Sequence, residues 1–147
     1  MNIFTIGFAQ KSAKHFFEVL EKNGMDCLID IRLNNSSQLA GFTKGRDLEY
    51  FLGRICKIKY IHELKFAPTK DILDNYKNKK ISWQEYETKF NHLLEVRNCN
   101  LIFNNLVGDK YNNICLLCSE VESNNCHRRL LANYFKKNNS SVNIIHL

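Results

Sequence analysis

Two short stretches near the end of the chain carry most of the side chains that could do chemistry. Cys126 and His127 are adjacent, and Cys118 and Glu120 precede them by a few residues. A thiol at a helix N-terminus beside His and Arg is expected to have a lowered pKa, so Cys126 is a candidate nucleophile. Cys118 could act with it as a redox pair, and His127 and Glu120 complete the candidate catalytic set. The alternative is that both cysteines are small buried apolar residues.

The last predicted helix begins close to Cys126 with basic rather than acidic side chains. Arg128 and Arg129 lie in its first turn, where the helix dipole is positive and favours negative charge. This arrangement costs a few tenths of a kcal/mol per charge unless an anion is bound. We therefore predict that backbone N–H groups and an arginine fork bind phosphate or carboxylate there. The alternative is that Arg128 pairs with Asp30 or Glu120 and holds the helix against the strand ends.

A polar loop after the second predicted strand adds further candidate ligands for the anion. Arg32, Asn34 and Ser36 follow that strand directly, and we expect them to share an edge of the sheet with the cysteine segment. Alternatively, Arg32 forms a local ion pair with Asp30 that contributes little net stability.

Three other patterns are weaker. Cys115 and Cys118 form a C-x-x-C pair, but residues three apart on a strand point to opposite faces, so we expect no metal and no cofactor. His62 and Glu63 are either a general base with its orienting carboxylate or part of a surface turn. Phe42 either stacks on a base or anchors its loop to the rim.

The elements that must position these residues alternate between strand and helix. Apolar runs predict strands over 1–6, 27–31, 58–61, 113–118 and 142–146. Helical spacing and caps predict helices over 12–23, through 48–55, over 69–78, from a capping box at 82–85 through residue 94, over 101–106 and over 126–137. This order predicts one α/β domain over 1–147, a three-layer sandwich with a mainly parallel five-stranded sheet and helices on both faces. Ligands of such sheets bind beyond the carboxyl ends of the strands.

Composition narrows the class of protein. The chain has 147 residues, of which 44% are hydrophobic, enough for a full core and too many for a disordered chain. No apolar run approaches the roughly 20 residues of a spanning helix, and no signal peptide is evident, so we expect a cytoplasmic protein that does not contact membranes. The six cysteines are then reduced thiols.

Charge indicates the class of partner. Lys and Arg number 21 against 15 for Asp and Glu, which favours an anionic partner such as a phosphate-bearing ligand, a nucleotide or a nucleic acid. No run of five basic residues occurs, so charge alone does not separate these partners.

The sequence resembles the bacterial family called domain of unknown function 488. The motifs that carry the resemblance are Thr5-Ile6-Gly7, Asp30-Ile31-Arg32, Gly41-Phe42, the tract from Ile58 to Leu64, Leu116 to Glu120 and Cys126-His127-Arg128. The resemblance implies a compact α/β domain with a site at one rim and carries no agreed reaction. The family commonly has His after the Thr-Ile-Gly start, whereas this chain has Phe8, so no catalytic role of that histidine transfers.

These observations leave two hypotheses of different classes. The first is an anion-binding or phosphate-binding domain, for a nucleotide or a nucleic-acid backbone, with covalent chemistry at Cys126. The second is a non-catalytic module that binds nucleic acid or protein. Steep salt dependence of binding to a generic duplex would favour the module.

Overall fold

A computed structural model describes residues 1–36 and 40–147 and contains the predicted sheet. Its strands are β1 (Asn2–Gly7), β2 (Cys27–Asp30), β3 (Lys59–His62), β4 (Asn113–Cys118) and β5 (Asn143–His146). They are ordered β3-β2-β4-β1-β5, and all four pairings are parallel. All carboxyl ends therefore lie at one edge of the sheet, as the order of elements predicted.

Helices cover both faces of this sheet. They are α1 (Ala13–Lys22), α2 (Gly45–Phe51), α3 (Lys70–Lys77), α4 (Trp83–Val96), α5 (Cys99–Leu106) and α6 (His127–Asn138). One core cluster joins the sheet to α4, α5 and α6, and the other joins it to α1 and α2. The three-layer α/β sandwich is confirmed.

Side-chain caps set the starts of three of the six helices that the structure describes. Ser12 caps α1 and Thr69 caps α3, each by accepting a backbone N–H with its side-chain oxygen. Ser82 and Glu85 form the predicted capping box of α4. At the start of α6 the cap is Cys126, which has no side-chain oxygen, so the first turn of α6 lacks the usual polar cap.

Burial on both faces explains why the sequences of the central strands do not alternate between apolar and polar residues. Every residue of β2 is buried, as are five of the six in β4, because both faces are covered by helices. Cys115 packs into the cluster under α1 and α2, whereas Cys118 packs into the cluster under α6. In the register of β1 with β4, Gly7 is the partner of Cys118, so the end of β1 lies directly beside that thiol.

The connections differ from the predictions in detail. The strand predicted over 58–61 occupies Lys59–His62, and the helix predicted through 48–55 ends in a π turn at Leu52–Cys56. Phe42 packs on the ring of Phe16 at 5.5 Å, so it anchors the polar loop. Residues 37–39 of that loop lie outside the described part of the chain. Within the described part, no helix has both the length and the apolar character that a bilayer span requires.

Candidate functional site

A two-lobed cleft opens at the carboxyl edge of the sheet. The first lobe has a volume of about 640 Å³ and the second about 510 Å³, and Glu120 and His127 line both. Lys11 lies in the first lobe, Lys79 in the second and Lys77 in both, while Glu120 is the single acidic residue among the described lining residues. The cleft is therefore electropositive.

Arg32 forms part of the wall of the first lobe and is paired with a buried carboxylate. Its Nε donates to Asp30 Oδ1 at 2.8 Å and its Nη2 donates to Asp30 Oδ2 at 2.6 Å. Nη2 also donates to the carbonyl of Thr43, and the Tyr60 hydroxyl donates to Asp30 Oδ2 at 2.7 Å. Both charged side chains are almost fully enclosed, so the predicted local ion pair exists, but it is a buried bidentate pair rather than a weak surface contact.

One donor of Arg32 is left over. Nη1 is buried and has no hydrogen-bond partner among the residues that the structure describes. The ring of Phe8 lies over the guanidinium, with its centroid 5.2 Å from Cζ. A buried N–H group without an acceptor lowers the stability of the fold by about 1–3 kcal/mol. An acceptor that reached Nη1 would therefore be bound favourably.

Arg128, on α6, has 1% of its surface exposed and lies outside the linings of both lobes. Its Nη1 donates to the carbonyl of Glu120 and its Nη2 donates to that of Val121 at 2.9 Å. Nη1 also lies 3.0 Å from Cys118 Sγ. The alternative that Arg128 pairs with Asp30 or with the Glu120 carboxylate is wrong, because none of the ion pairs among the described residues includes Arg128.

Gly7 makes this arrangement possible. A Cβ at this position would lie 1.6 Å from the carbonyl oxygen of Glu120 and 2.6 Å from Arg128 Nη1. Only a residue without a side chain lets the Glu120 carbonyl and the guanidinium approach the end of β1.

Cys118 and Cys126 are in direct contact, with their sulfurs 2.9 Å apart. Burial alone would raise the pKa of Cys118, but the hydrogen bond from Cys126, the charge and hydrogen bond of Arg128 and the backbone N–H of Glu120 together lower it. Arg128 has no carboxylate partner among the described residues, so its charge favours the thiolate form of Cys118 over the thiol.

Cys126 has the opposite tendency. Its hydrogen bond to Cys118 and its burial raise its pKa, although the nearby Arg128 acts in the opposite direction. The expectation that the Cys126 pKa falls at the helix N-terminus is therefore wrong: the pair favours one negative charge on Cys118, nearer the guanidinium. Cys126 is still the thiol that lines the second lobe, with 2% of its surface exposed.

In the first turn of α6, a backbone N–H group is already hydrogen-bonded to the protein. The N–H of Arg129 donates to the Cys126 carbonyl at 3.1 Å, and the Cys126 side chain makes no cap hydrogen bond to this turn. The Arg129 side chain lies outside both linings, with Cζ 6.0 Å from the centroid of the Trp83 ring.

His127 faces both lobes as a neutral imidazole. Its Nε2 lies 3.0 Å from the carbonyl of Ile31, an acceptor, so Nε2 carries the proton and Nδ1 is the free acceptor. Burial lowers its pKa to about 4, and the nearby Arg128 charge acts in the same direction. Nδ1 lies 3.9 Å from Cys126 Sγ, too far for a strong hydrogen bond.

The other predicted site residues divide between cleft and loop. Asn34 lines the first lobe, and its Oδ1 accepts from the N–H and the hydroxyl of Ser36 at 2.9 and 2.7 Å. Ser36 itself lies outside the linings. The paired acid–base role of His62 and Glu63 is wrong: His62 Nε2 contacts the Arg32 carbonyl at 2.9 Å, while Glu63 caps the turn at Leu64–Phe66.

Sequence reasoning missed several residues that complete the site. Tyr60 binds the Asp30 carboxylate, and burial followed by the Asp30 charge raises its pKa. Asn35 donates to the Tyr60 hydroxyl at 3.0 Å, and Lys77 reaches the cleft from the end of α3. Nothing in the sequence around Lys77 marks it, whereas Tyr60 could have been suspected because it lies in the strand that precedes His62.

The comparisons with known proteins agree with this arrangement at the level of family. Neither the curated proteins nor the solved structures provide a significant match. The family described as Domain of unknown function DUF488 matches residues 12–135, which span the Asp30–Arg32 pair, both cysteines of the thiol pair and Arg128. The match covers most of the chain and all of these site residues, and the chain therefore belongs to that family.

Proposed function

We propose that the cleft binds a phosphate-bearing small molecule and that an anionic oxygen of this ligand accepts a hydrogen bond from Arg32. The observation that carries the proposal is the buried Nη1 donor of Arg32, which lacks an acceptor among the described residues and belongs to a side chain that lines the first lobe. An arginine already fixed by a bidentate carboxylate presents its remaining donor in one orientation, so little entropy is lost on binding.

The charge of the ligand is neutralised mainly by lysines. Asp30 compensates Arg32, so the uncompensated positive groups of the described lining are Lys11, Lys77 and Lys79. Charge-assisted hydrogen bonds of this kind contribute about 1.5–3 kcal/mol each. Phosphate, rather than a neutral ligand, satisfies both the lysines and the spare arginine donor.

The size and lining of the cleft favour a phosphate ester over free phosphate. The two lobes, of about 640 and 510 Å³, have room for a group beyond the phosphate. Trp83 and Tyr86 line the second lobe, and their rings stack at 5.0 Å with an angle of 17°. An aromatic wall beside an anion site fits a nucleotide.

Calorimetric titration with a nucleoside monophosphate and with inorganic phosphate tests the proposal. We expect the nucleotide to bind more tightly, and we expect Lys77→Gln to weaken it about tenfold, the equivalent of about 1.4 kcal/mol. Lys136→Gln, an exposed change on α6 away from the cleft, is the matched control and should bind like the wild type. Absence of binding by either ligand, or equal loss in both variants, would refute the proposal.

Salt dependence separates a small ligand from a nucleic acid. A single phosphate group releases few counterions, so nucleotide affinity should fall modestly with salt. If instead a generic duplex binds and its affinity falls steeply, with no binding of small nucleotides, the protein is a non-catalytic nucleic-acid module.

A second candidate function is covalent chemistry with Cys126 as nucleophile, which is favoured by its position in the lining of the second lobe beside Cys118. In that case iodoacetamide should modify Cys126, which lines the second lobe, faster than Cys99, which is fully buried in the core. Equal or slower modification of Cys126 would remove this candidate. A nucleophilic Cys126 must be a reduced thiol, and we propose the cytoplasm as the compartment.

A further inference from the structure

We propose that Cys118 and Cys126 form a reversible disulfide with each other when the protein meets hydrogen peroxide. Their sulfurs are already 2.9 Å apart, and a disulfide needs about 2.05 Å. Cys118 ends β4 and Cys126 caps α6, so the two lie at the ends of one loop, 119–125.

The surroundings of the pair favour oxidation there and not at the remaining thiols. Arg128 and the Glu120 N–H stabilise negative charge on the pair, and the thiolate is the form that peroxide oxidises. Burial raises the pKa of each of the other four cysteines, to about 12 for Cys27, to about 11 for Cys56 and Cys99, and also for Cys115. Those four are mainly protonated at neutral pH.

The reaction balances with hydrogen peroxide as the sole oxidant. The pair begins with its one proton on Cys126, and Cys126 becomes the attacking thiolate when that proton moves to Cys118 along their hydrogen bond. Its sulfur attacks one peroxide oxygen, the O–O bond breaks, the departing hydroxide takes a proton from solvent, and Cys126 becomes a sulfenic acid. Cys118 then attacks the Cys126 sulfur, the S–O bond breaks, and the thiol proton leaves with the hydroxyl as water.

The assignment of the steps follows from access. Cys126 lines the second lobe, whereas Cys118 is fully buried beneath it, so peroxide reaches Cys126 first and Cys118 is the resolving thiol. The sum is two thiols and one peroxide giving one disulfide and two waters. A dithiol reductant reverses it through a mixed disulfide.

The test is peptide mapping of the native wild-type protein after brief treatment with hydrogen peroxide and blocking of the remaining thiols. Trypsin leaves Cys115, Cys118 and Cys126 in one peptide, 111–128, because no Lys or Arg lies between Lys110 and Arg128. A Glu-specific protease that cuts after Glu120 separates the two partners. Fragmentation of the linked product then distinguishes Cys118 from Cys115.

We expect a loss of two thiols, a link between Cys118 and Cys126, and full recovery with dithiothreitol. Cys99→Ser should behave like the wild type, and Cys126→Ser should lose the link. Oxidation of Cys126 without a link, a link that involves another cysteine, or a link that forms only in denaturant would overturn the proposal. The wild-type map decides the question even if a cysteine variant folds poorly.

Discussion

Arg32 and Arg128 are both buried at the carboxyl edge of the sheet, but their charges are neutralised differently. Arg32 has a carboxylate partner two residues away, Asp30, which takes two of its donors. Arg128 has two backbone carbonyls and a sulfur. Carbonyls satisfy hydrogen bonds without cancelling charge, so Arg128 depends on the Cys118 thiolate for a counter-ion.

This difference assigns different tasks to the two residues. The charges of Asp30 and Arg32 cancel, and Arg32 Nη1 still lacks an acceptor, so this pair suits an added ligand. The charge of Arg128 is neutralised only while the Cys118 thiol is ionised. The stability of the buried guanidinium therefore depends on the protonation and oxidation state of the two thiols. An arginine thus contributes to ligand binding at Arg32 and to thiol chemistry at Arg128.

The largest effect is expected from Arg128→Met. The change removes the donors to two carbonyls and the counter-ion of a buried thiolate, and breaking a buried charge pair costs about 3–5 kcal/mol. Urea unfolding at neutral pH measures this loss of unfolding free energy. Arg129→Met is the matched control on the same turn, and we expect it to cost under about 1 kcal/mol. Equal effects would show that Arg128 has no special electrostatic role.

A smaller effect is expected from acid titration of His127. Its folded pKa of about 4 lies below its ordinary value of 6.5, so the unfolded chain binds the proton more readily. The stability that the neutral ring contributes is complete above about pH 6.5 and is lost as the pH falls toward 4. This loss is up to about 3 kcal/mol, reduced by the solvent that reaches the ring.

The difference in unfolding free energy between the wild type and His127→Gln isolates the His127 contribution from that of the carboxylates. We expect this difference to shrink as the pH falls from 6.5 to 4. A difference that stays constant over the range would mean that the ring accepts a proton without cost in the folded state.

The smallest effect is expected from Tyr60→Phe, which removes one hydrogen bond from the Asp30 carboxylate while Arg32 stays paired. A hydrogen bond to a charged group contributes about 1.5–3 kcal/mol, and we expect the lower end because Tyr60 is only partly buried. Tyr50→Phe is the control, because Tyr50 is exposed. If Tyr60→Phe lowers the unfolding free energy as much as Arg128→Met, Arg32 alone does not compensate the buried Asp30 carboxylate.

The elements of the fold were predictable because each rests on local rules. Buried parallel strands give apolar runs such as that of β4, and caps such as Ser82 with Glu85 mark helix starts within a few residues. Parallel pairing then brings the residues after each strand to one edge. The location of the candidate site follows from these rules alone.

Partners within the site were not predictable by the same means. The sequence places Cys118, Cys126 and Arg128 near one another but does not say which sulfur lies closer to the guanidinium. The guanidinium lies 3.0 Å from Cys118 Sγ and 4.0 Å from Cys126 Sγ, which favours ionisation of Cys118, and these distances depend on how α6 packs on β4. The burial of Arg32 beneath Phe8 likewise depends on contacts between distant segments.

Ultraviolet absorbance of thiolate during a pH titration tests the central claim, that Cys118 is ionised as the counter-ion of Arg128. The wild type is compared with Cys118→Ser and with Arg128→Met, each after circular dichroism has confirmed folding. We predict that one thiolate forms in the wild type below the pKa of about 8.5 of a free cysteine, and that this early step is absent from both variants. A wild type in which thiolate appears only at higher pH, or an early step that survives Cys118→Ser, would contradict the account.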